Sequence, residues 1–227
     1  MEIFMEKHLI DKYRYERKYI LQRNQLYDLI SHLYTSNYQK VFDERIINNI
    51  YFDTKDFKAV IENMDGLSNR EKIRVRWYGK PFNYSKKTLE IKIKNEFLNR
   101  KNNFDLGIYQ LKDFSSIIEF KTIFKLNKSK FESLYYSKLS SLEPTLFNCY
   151  KRNYFFNPIN QTRITIDKDL YFFSPLTSVK YSEKYCIVEA KFEKKKDFIN
   201  NFNNLVLTRY SKYAKGTMQT NFYCPNY

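Results

Sequence analysis

Strict two-residue alternation of charged and apolar side chains recurs in five separate segments of this chain, and no other sequence feature constrains the fold more. The segments are Tyr13–Tyr19, Ile73–Trp77, Leu89–Lys94, Arg163–Asp167 and Val188–Phe192. Successive side chains of a β-strand point to opposite faces, so this period predicts five strands with one charged face each. Ile47–Phe52 is a further strand candidate with a less regular pattern.

Apolar residues at helical spacing predict helices between these strands. The candidate helices are Leu26–Leu33, Phe57–Met64, Phe131–Leu142 and Phe198–Leu207. Gly66 follows the second of them as a C-terminal stop. Together the elements predict a single α+β domain over residues 1–227, in which helices pack on antiparallel strands.

Composition and charge indicate the kind of binding partner and the cellular compartment. With 43% hydrophobic residues the chain is too apolar for a disordered protein, and its net charge of +15 predicts a polyanionic partner. The three cysteines lack metal-ligand spacing, which is typical of a reducing compartment. Because no apolar run approaches the length of a membrane span, we expect a cytoplasmic protein.

The charged strand faces carry long cations at neighbouring positions. Arg74 and Arg76 share one face and stand about 7 Å apart, since a strand rises about 3.3 Å per residue. Arginine binds phosphate in a bidentate manner, so this spacing suits successive phosphates of a chain. An ordinary sheet with one solvated face would explain any single segment equally well. A closed barrel would instead turn these faces inward, around a lumen that requires an anion.

Eight short sequence motifs follow one another along nearly the whole chain. They are YERKYIL (Tyr15–Leu21), IYFDT (Ile50–Thr54), KIRVRWYG (Lys72–Gly79), LEIKIK (Leu89–Lys94), YKRNYF (Tyr150–Phe155), TRITIDKDL (Thr162–Leu170), IVEAKF (Ile187–Phe192) and RYSKYAKG (Arg209–Gly216). In this order they resemble the catalytic domain of the vacuolar transporter chaperone (VTC) family of polyphosphate polymerases, in the triphosphate tunnel metalloenzyme superfamily. The resemblance implies an α+β fold: an antiparallel closed β-barrel of about eight strands that forms a cation-lined tunnel, with helices around the outside.

The resemblance also implies the site residues. Catalytic and substrate-binding cations are expected at Lys18, Arg74, Arg76, Lys92 and Lys212, with further substrate-binding residues at Arg152 and Arg163. Lys94, Lys191 and Ser211 join the substrate-binding set with less motif support, and Glu189 and Glu16 are the expected metal ligands. The superfamily carries another Glu where this chain has Arg14, which leaves the number of metals open. A solvated cation, or an ion pair between Glu189 and Lys191, is the alternative interpretation of these positions.

The implied activity is an ATP-polyphosphate phosphotransferase. It transfers the γ-phosphate of ATP or another nucleoside triphosphate to a growing polyphosphate chain, with Mn²⁺ or Mg²⁺ as cofactor. Hydrolysis of triphosphate or polyphosphate by the same fold is one alternative, and non-catalytic binding of polyphosphate or inositol phosphates is another. Nucleic acid is the least favoured partner because no nucleic-acid motif is recognised. A separate membrane protein is an expected partner, with peripheral association at the inner face of the membrane as a variant of the cytoplasmic location.

Overall fold

The computed structural model describes residues 15–96, 98–114, 117, 119–131, 133–192 and 205–221. These residues form two compact units. The first unit draws on Met1–Arg45, Lys151–Asp169 and Glu183–Tyr210, and the second on Ile46–Tyr150, Leu170–Ser182 and Ser211–Tyr227. Three long strands contribute residues to both units: β2 (Gln39–Asp53), β6 (Glu143–Asn157) and β7 (Thr162–Phe173). The single domain over 1–227 stays a prediction.

The first unit also contains β1 (Tyr15–Gln22), α1 (Leu26–Thr35), β9 (Tyr185–Phe192) and β10 (Val206–Thr208). Its strand order is β10-β1-β9-β7-β6-β2, and β1 and β7 both pair antiparallel with β9. Leu29 and Leu33 of α1 are buried in a core with Tyr19 and Val188. This burial explains the helical spacing of the leucines, because α1 turns one apolar face to the sheet.

Among the described residues, the second unit adds four strands and four α-helices. They are α2 (Lys58–Met64), β3 (Arg70–Tyr78), β4 (Ser85–Asn95), β5 (Leu98–Tyr109), α3 (Phe120–Leu126), α4 (Ser133–Ser141) and α5 (Lys212–Thr220), and β8 (Lys180–Ser182) pairs with β7. The strand order is β7-β6-β2-β3-β4-β5. Its core joins Trp77 and Val75 of β3 to Phe120 and Phe124 of α3.

The alternating burial of β3 confirms the strand prediction: Ile73, Val75 and Trp77 are buried, whereas Arg74 and Arg76 are half-buried on the other face. An antiparallel sheet with helices packed on it is therefore the observed fold class. The hydrogen-bonded strand order ends at β10 in the first unit and at β5 in the second.

Two helix predictions need correction. Phe131–Leu142 contains a helix only over Ser133–Ser141. Residues 198–204 of the candidate Phe198–Leu207 lie outside the described residues, and its last two residues belong to strand β10, so the helix prediction is wrong there. Apolar residues at positions 205–207 fit either period, which short runs do not distinguish. No helix in the described ranges combines the length and hydropathy that a membrane crossing requires.

Candidate functional site

The charged face of the second unit is centred on one carboxylate that three cations contact. Glu90 of β4 accepts a hydrogen bond from Arg74 Nε at 2.7 Å and from Lys101 Nζ at 2.8 Å. Arg76 Nη1 lies 3.8 Å from the same carboxylate. We call these four residues the arginine cluster. Arg74 lies directly opposite Glu90 in the β3–β4 register, which is why the two side chains meet.

The carboxylate of the arginine cluster is buried and ionised. Only 8% of the Glu90 side chain is exposed, and burial alone would raise its pKa. Arg74, Arg76 and Lys101 outweigh burial and lower the pKa of Glu90 to about 2, from an ordinary value of 4.5. Three cations against one carboxylate leave the cluster positively charged, as an anion-binding surface requires.

Polar side chains of β2 hold the two guanidinium groups. Arg76 Nε donates to Asn49 Oδ1 at 2.8 Å, and Asn49 Nδ2 donates to Asn148 Oδ1 at 2.8 Å. Arg74 Nη1 donates to the Tyr51 hydroxyl at 3.3 Å. These contacts restrict the rotamers of both arginines, so a phosphate would meet cations that are already oriented.

Lysines face each other across the same strands. Lys72 of β3 lies opposite Lys92 of β4, and Lys92 lies opposite Lys101 of β5. Arg70 and Lys94 form the next cross-strand pair. Like charges directly opposite one another destabilise a sheet, so a bound polyanion would stabilise this one.

The beginning of α5 brings Ser211 and Lys212 to the second unit's cation set. Ser211 Oγ accepts from the Ala214 N–H at 3.4 Å as the N-cap of α5, and Lys72 Nζ donates to the same hydroxyl at 3.0 Å. Lys212 Nζ lies 4.9 Å from the centre of the Tyr150 ring. The Lys212 ammonium is therefore held over an aromatic face.

A buried tyrosine fixes this helix. The Tyr213 hydroxyl donates to Asp53 Oδ2 at 2.6 Å, and its ring stacks on Tyr51 with centroids 4.6 Å apart. Burial and the neighbouring Asp53 carboxylate raise the pKa of Tyr213 well above its usual range. Asp53 also accepts the backbone N–H groups of Ala59 and Val60, so one carboxylate joins the beginning of α2 to α5.

Gly216 is required by the close packing of α5. A Cβ atom at this position would lie 2.4 Å from Phe172 Cδ1 and 2.7 Å from Leu146 Cδ2. Both neighbours are buried side chains, so any larger residue would push the helix away from the sheet.

In the first unit two lysines and two carboxylates alternate around one centre, which we call the lysine–carboxylate cluster. Lys18 Nζ lies 3.3 Å from Glu16 Oε1 and 3.9 Å from Glu189 Oε2. Lys191 Nζ lies 3.4 Å from Glu16 Oε2 and 2.9 Å from Glu189 Oε1. Burial acts against the charge of Lys191, but Glu189 and Glu16 raise its pKa.

The donor set of the lysine–carboxylate cluster fits a hard divalent cation. Mg²⁺ is usually bound by one or two carboxylates together with waters and substrate phosphates, and Glu16 and Glu189 supply two carboxylates from diagonal positions of the β1–β9 pair. No group of three or more His, Cys, Asp or Glu with metal-binding geometry occurs among the described residues. Glu189 does pair with Lys191, as the alternative sequence interpretation expected.

Two further predicted cations lie in the first unit. Arg152 makes a bidentate pair with Asp167, with Nη2 2.7 Å from Oδ2, and the Asp167 carboxylate is fully buried. Arg163 is exposed and lies opposite Lys191 in the β7–β9 register. The buried pair orients the Arg152 guanidinium, whereas Arg163 extends the cation set of β9 onto β7.

The structure thus groups the predicted residues within each unit. Arg74, Arg76, Lys92 and Lys94 share the charged face of β3 and β4, and Glu16, Lys18, Glu189 and Lys191 share one cluster. Sequence reasoning assigned no role to the contacts made by Lys72, Glu90, Lys101, Tyr51, Asp53 and Tyr213. The two-residue period did place Glu90 on a charged face, but no local signal indicates that β5 brings Lys101 to Glu90.

Comparison with solved structures finds proteins of similar fold. A putative adenylyl cyclase from Hippeastrum, described as having a dominant triphosphatase activity, has a TM-score of 0.50 at 12% identity, over 90% of this chain and 95% of that chain. At this identity the likeness shows the fold alone, and it is the fold class that the sequence predicted. A putative adenylate cyclase from Bacillus halodurans is similar with a TM-score of 0.45 at 15% identity, over 90% of this chain and 84% of that chain.

Sequence comparison gives the family. No curated protein matches the chain. The sequence model of the VTC domain matches residues 13–221, which include both the arginine cluster and the lysine–carboxylate cluster. This match spans well over half of the chain, and the chain therefore belongs to the VTC domain family.

Proposed function

We propose that this protein is a polyphosphate polymerase, which transfers the γ-phosphate of ATP or another nucleoside triphosphate to a growing polyphosphate chain. Membership of the VTC domain family supports an activity in triphosphate or polyphosphate metabolism. We propose ATP as the preferred donor and a divalent cation, Mn²⁺ or Mg²⁺, as the cofactor. A separate membrane protein as partner, at the inner face of the membrane, belongs to the same proposal.

The length of the cation row on β3 supports a phosphate chain as the ligand. Arg70, Lys72, Arg74 and Arg76 occupy four successive positions of one strand face. At about 7 Å per step the row covers roughly 20 Å of strand. A single phosphate would occupy one step, so a row of this length suits an extended polyanion.

Phosphoryl transfer needs positioning and charge neutralisation more than covalent chemistry. Arg74 and Arg76 offer oriented guanidinium groups to successive phosphates, and they neutralise charge that develops on the transferring group. Lys92, Lys101 and Lys212 add ammonium groups on the same unit. We propose no protein nucleophile, because the acceptor phosphate itself attacks the γ-phosphorus.

Glu16 and Glu189 are the residues that would hold Mn²⁺ or Mg²⁺. The bound cation would supply a Lewis acid for phosphate oxygens. Lys18 and Lys191 now contact these carboxylates. With the carboxylates occupied by a cation, both ammonium groups become available to bind phosphate.

The experiment is a gel assay. Purified protein is incubated with ATP and Mn²⁺ or Mg²⁺, and a ladder of polyphosphate is expected. Arg74→Ala and Glu189→Gln should each abolish the ladder while the circular dichroism spectrum is retained. Lys101→Ala should weaken it, whereas Arg100→Ala, an exposed cation on the adjacent position of β5, should not. Full activity of both Arg74→Ala and Glu189→Gln would refute the assignment.

Hydrolysis is the second candidate, because the Hippeastrum structure with this fold is described as having triphosphatase activity. The same cations would then bind triphosphate while water attacks. Release of orthophosphate from ATP without a ladder would favour it. Binding of tripolyphosphate without any turnover would instead identify a non-catalytic polyphosphate-binding module.

A further inference from the structure

Two buried tyrosines of the second unit, Tyr51 of β2 and Tyr213 of α5, lie beside the arginine cluster. Their side chains are 4% and 2% exposed, and neither is among the described residues that form the apolar core around Trp77. Tyr51 lies directly opposite Arg74 in the β2–β3 register, so its ring stands on the charged face of the sheet. The two rings are therefore buried between this charged face and α5, where their hydroxyl groups meet polar partners.

The Tyr51 hydroxyl completes the orientation of the Arg74 guanidinium. It accepts a hydrogen bond from Nη1 at 3.3 Å, and Glu90 Oε2 lies 2.7 Å from Nε and 2.6 Å from Nη2. A guanidinium has five N–H groups, so these contacts with described residues leave one N–H on each terminal nitrogen. That remaining pair is the one that can bind a phosphate in a bidentate manner.

The Tyr51 hydroxyl also lies within the field of the neighbouring cations. Burial alone would raise the pKa of Tyr51, but the positive charges of Arg74, Arg76 and Lys212 lower it. The Arg74 guanidinium carbon is 6.0 Å from the centre of the Tyr51 ring. A displacement of this ring would therefore change the surroundings of the cations that are expected to bind phosphate.

Tyr213 restricts the Tyr51 ring. The two rings stack with centroids 4.6 Å apart and an interplanar angle of 13°. The Tyr213 hydroxyl is itself held, because it donates to Asp53 Oδ2 at 2.6 Å and lies 2.9 Å from the Thr145 hydroxyl. Side-chain torsions occupy discrete wells, so a fixed ring packed against Tyr51 limits its torsions and with them the position of its hydroxyl.

We propose that Tyr213 is a positioning residue for phosphate binding, which acts on Arg74 through Tyr51. The Tyr213 ring holds the Tyr51 ring in place, and the Tyr51 hydroxyl holds the guanidinium so that its remaining pair of N–H groups is oriented before the phosphate arrives. Neither tyrosine needs to contact the phosphate for this effect. The inference rests on the proposed function, in which Arg74 binds a phosphate.

Three variants separate positioning from stability. Tyr213→Phe and Tyr213→Leu both lose the hydrogen bond to Asp53 and should both be less stable in urea, but only Tyr213→Leu loses the stack. Tyr51→Phe keeps the stack and loses the hydroxyl. We expect calorimetric titration with inorganic tripolyphosphate to give a dissociation constant about tenfold higher for Tyr51→Phe and Tyr213→Leu, and within about twofold of wild type for Tyr213→Phe. Tyr38→Phe, which removes a buried hydroxyl from the core of the first unit, is the matched control and should leave binding unchanged.

The double variant Tyr51→Phe/Tyr213→Leu tests whether one residue acts through the other. In that case it should bind tripolyphosphate no more than about twofold more weakly than either single variant. Effects that multiply, to about a hundredfold, would show independent roles and overturn the inference.

Two other results would also overturn the inference. Equal weakening by Tyr213→Phe and Tyr213→Leu would mean that binding follows the stability of the fold and not the stack. Unchanged binding by Tyr51→Phe would mean that its hydroxyl does not orient Arg74, and this result stands even if Tyr213→Leu fails to fold. Failure of the proposed function looks different, because wild-type protein would then not bind tripolyphosphate.

Discussion

Replacing Glu90 by Gln tests whether the arginine cluster carries an excess of positive charge that a bound anion would neutralise. The three cations around Glu90 lower its pKa from 4.5 to about 2, against the effect of burial. Each pKa unit corresponds to about 1.4 kcal/mol, so ionised Glu90 stabilises the folded state by about 3 kcal/mol. A depressed carboxylate pKa stabilises the protein above pH 4.5, and this contribution is lost as the pH falls through 4.5 toward 2. At pH 7 Glu90→Gln should therefore lower the free energy of unfolding by the whole of this contribution, about 3 kcal/mol.

Urea denaturation at pH 7 measures the loss, and in a thermal scan it corresponds to a melting temperature lower by roughly 6–12 °C. Glu62→Gln is the matched control, since Glu62 makes a 3.8 Å pair with a mostly exposed lysine and should cost below about 1 kcal/mol. Added tripolyphosphate should stabilise Glu90→Gln more than the wild type, because it replaces the missing negative charge. Equal losses in the two variants, or equal stabilisation by the anion, would refute the reasoning.

Three further predictions concern stability. Gly216→Ala should lower the free energy of unfolding by about 1–3 kcal/mol, measured in urea, because its Cβ would lie 2.4 Å from Phe172 Cδ1. Tyr213→Phe removes the 2.6 Å hydrogen bond to Asp53 and should lower the free energy of unfolding by about 1.5–3 kcal/mol. A loss below about 0.5 kcal/mol in urea would contradict this. Burial lowers the pKa of Lys87 from 10.5 to about 8, so wild-type stability should rise between pH 8 and pH 10.5, where only the unfolded chain holds that proton. In Lys87→Met the rise should disappear, as urea titrations at pH 8 and pH 10 would show.

Much of the charged face could be predicted from the sequence because the two-residue period of a strand is a local property. The period assigned Arg74 and Arg76 to one face and Ile73 and Val75 to the other, as the burial of β3 confirms. It also placed Glu189 beside Lys191, which do pair. The end of the Phe198–Leu207 prediction failed for the same local reason, since three apolar residues before Thr208 fit a strand as well as a helix.

Contacts between distant segments could not be predicted in this way. Lys94 lies on the same strand face as Lys92. It also lines a cavity at the end of β4, and this cavity forms only because α2 and α4 pack there. The position of Lys101 beside Glu90 depends on the register of β5 on β4, including the irregularity at Lys87/Thr88. A one-residue slip would turn Lys101 to the opposite face.

The sequence by itself determined which side chains alternate along each strand, and its ordered motifs identified the family. The tertiary structure decided which of these side chains meet. Glu90 is a strand-face carboxylate in the sequence, and in the folded chain it is the buried counter-charge of Arg74, Arg76 and Lys101. Tyr213 contacts Asp53 across 160 residues of chain. The free energies of such contacts arise only when packing excludes water and brings distant strands into register, which no local pattern encodes.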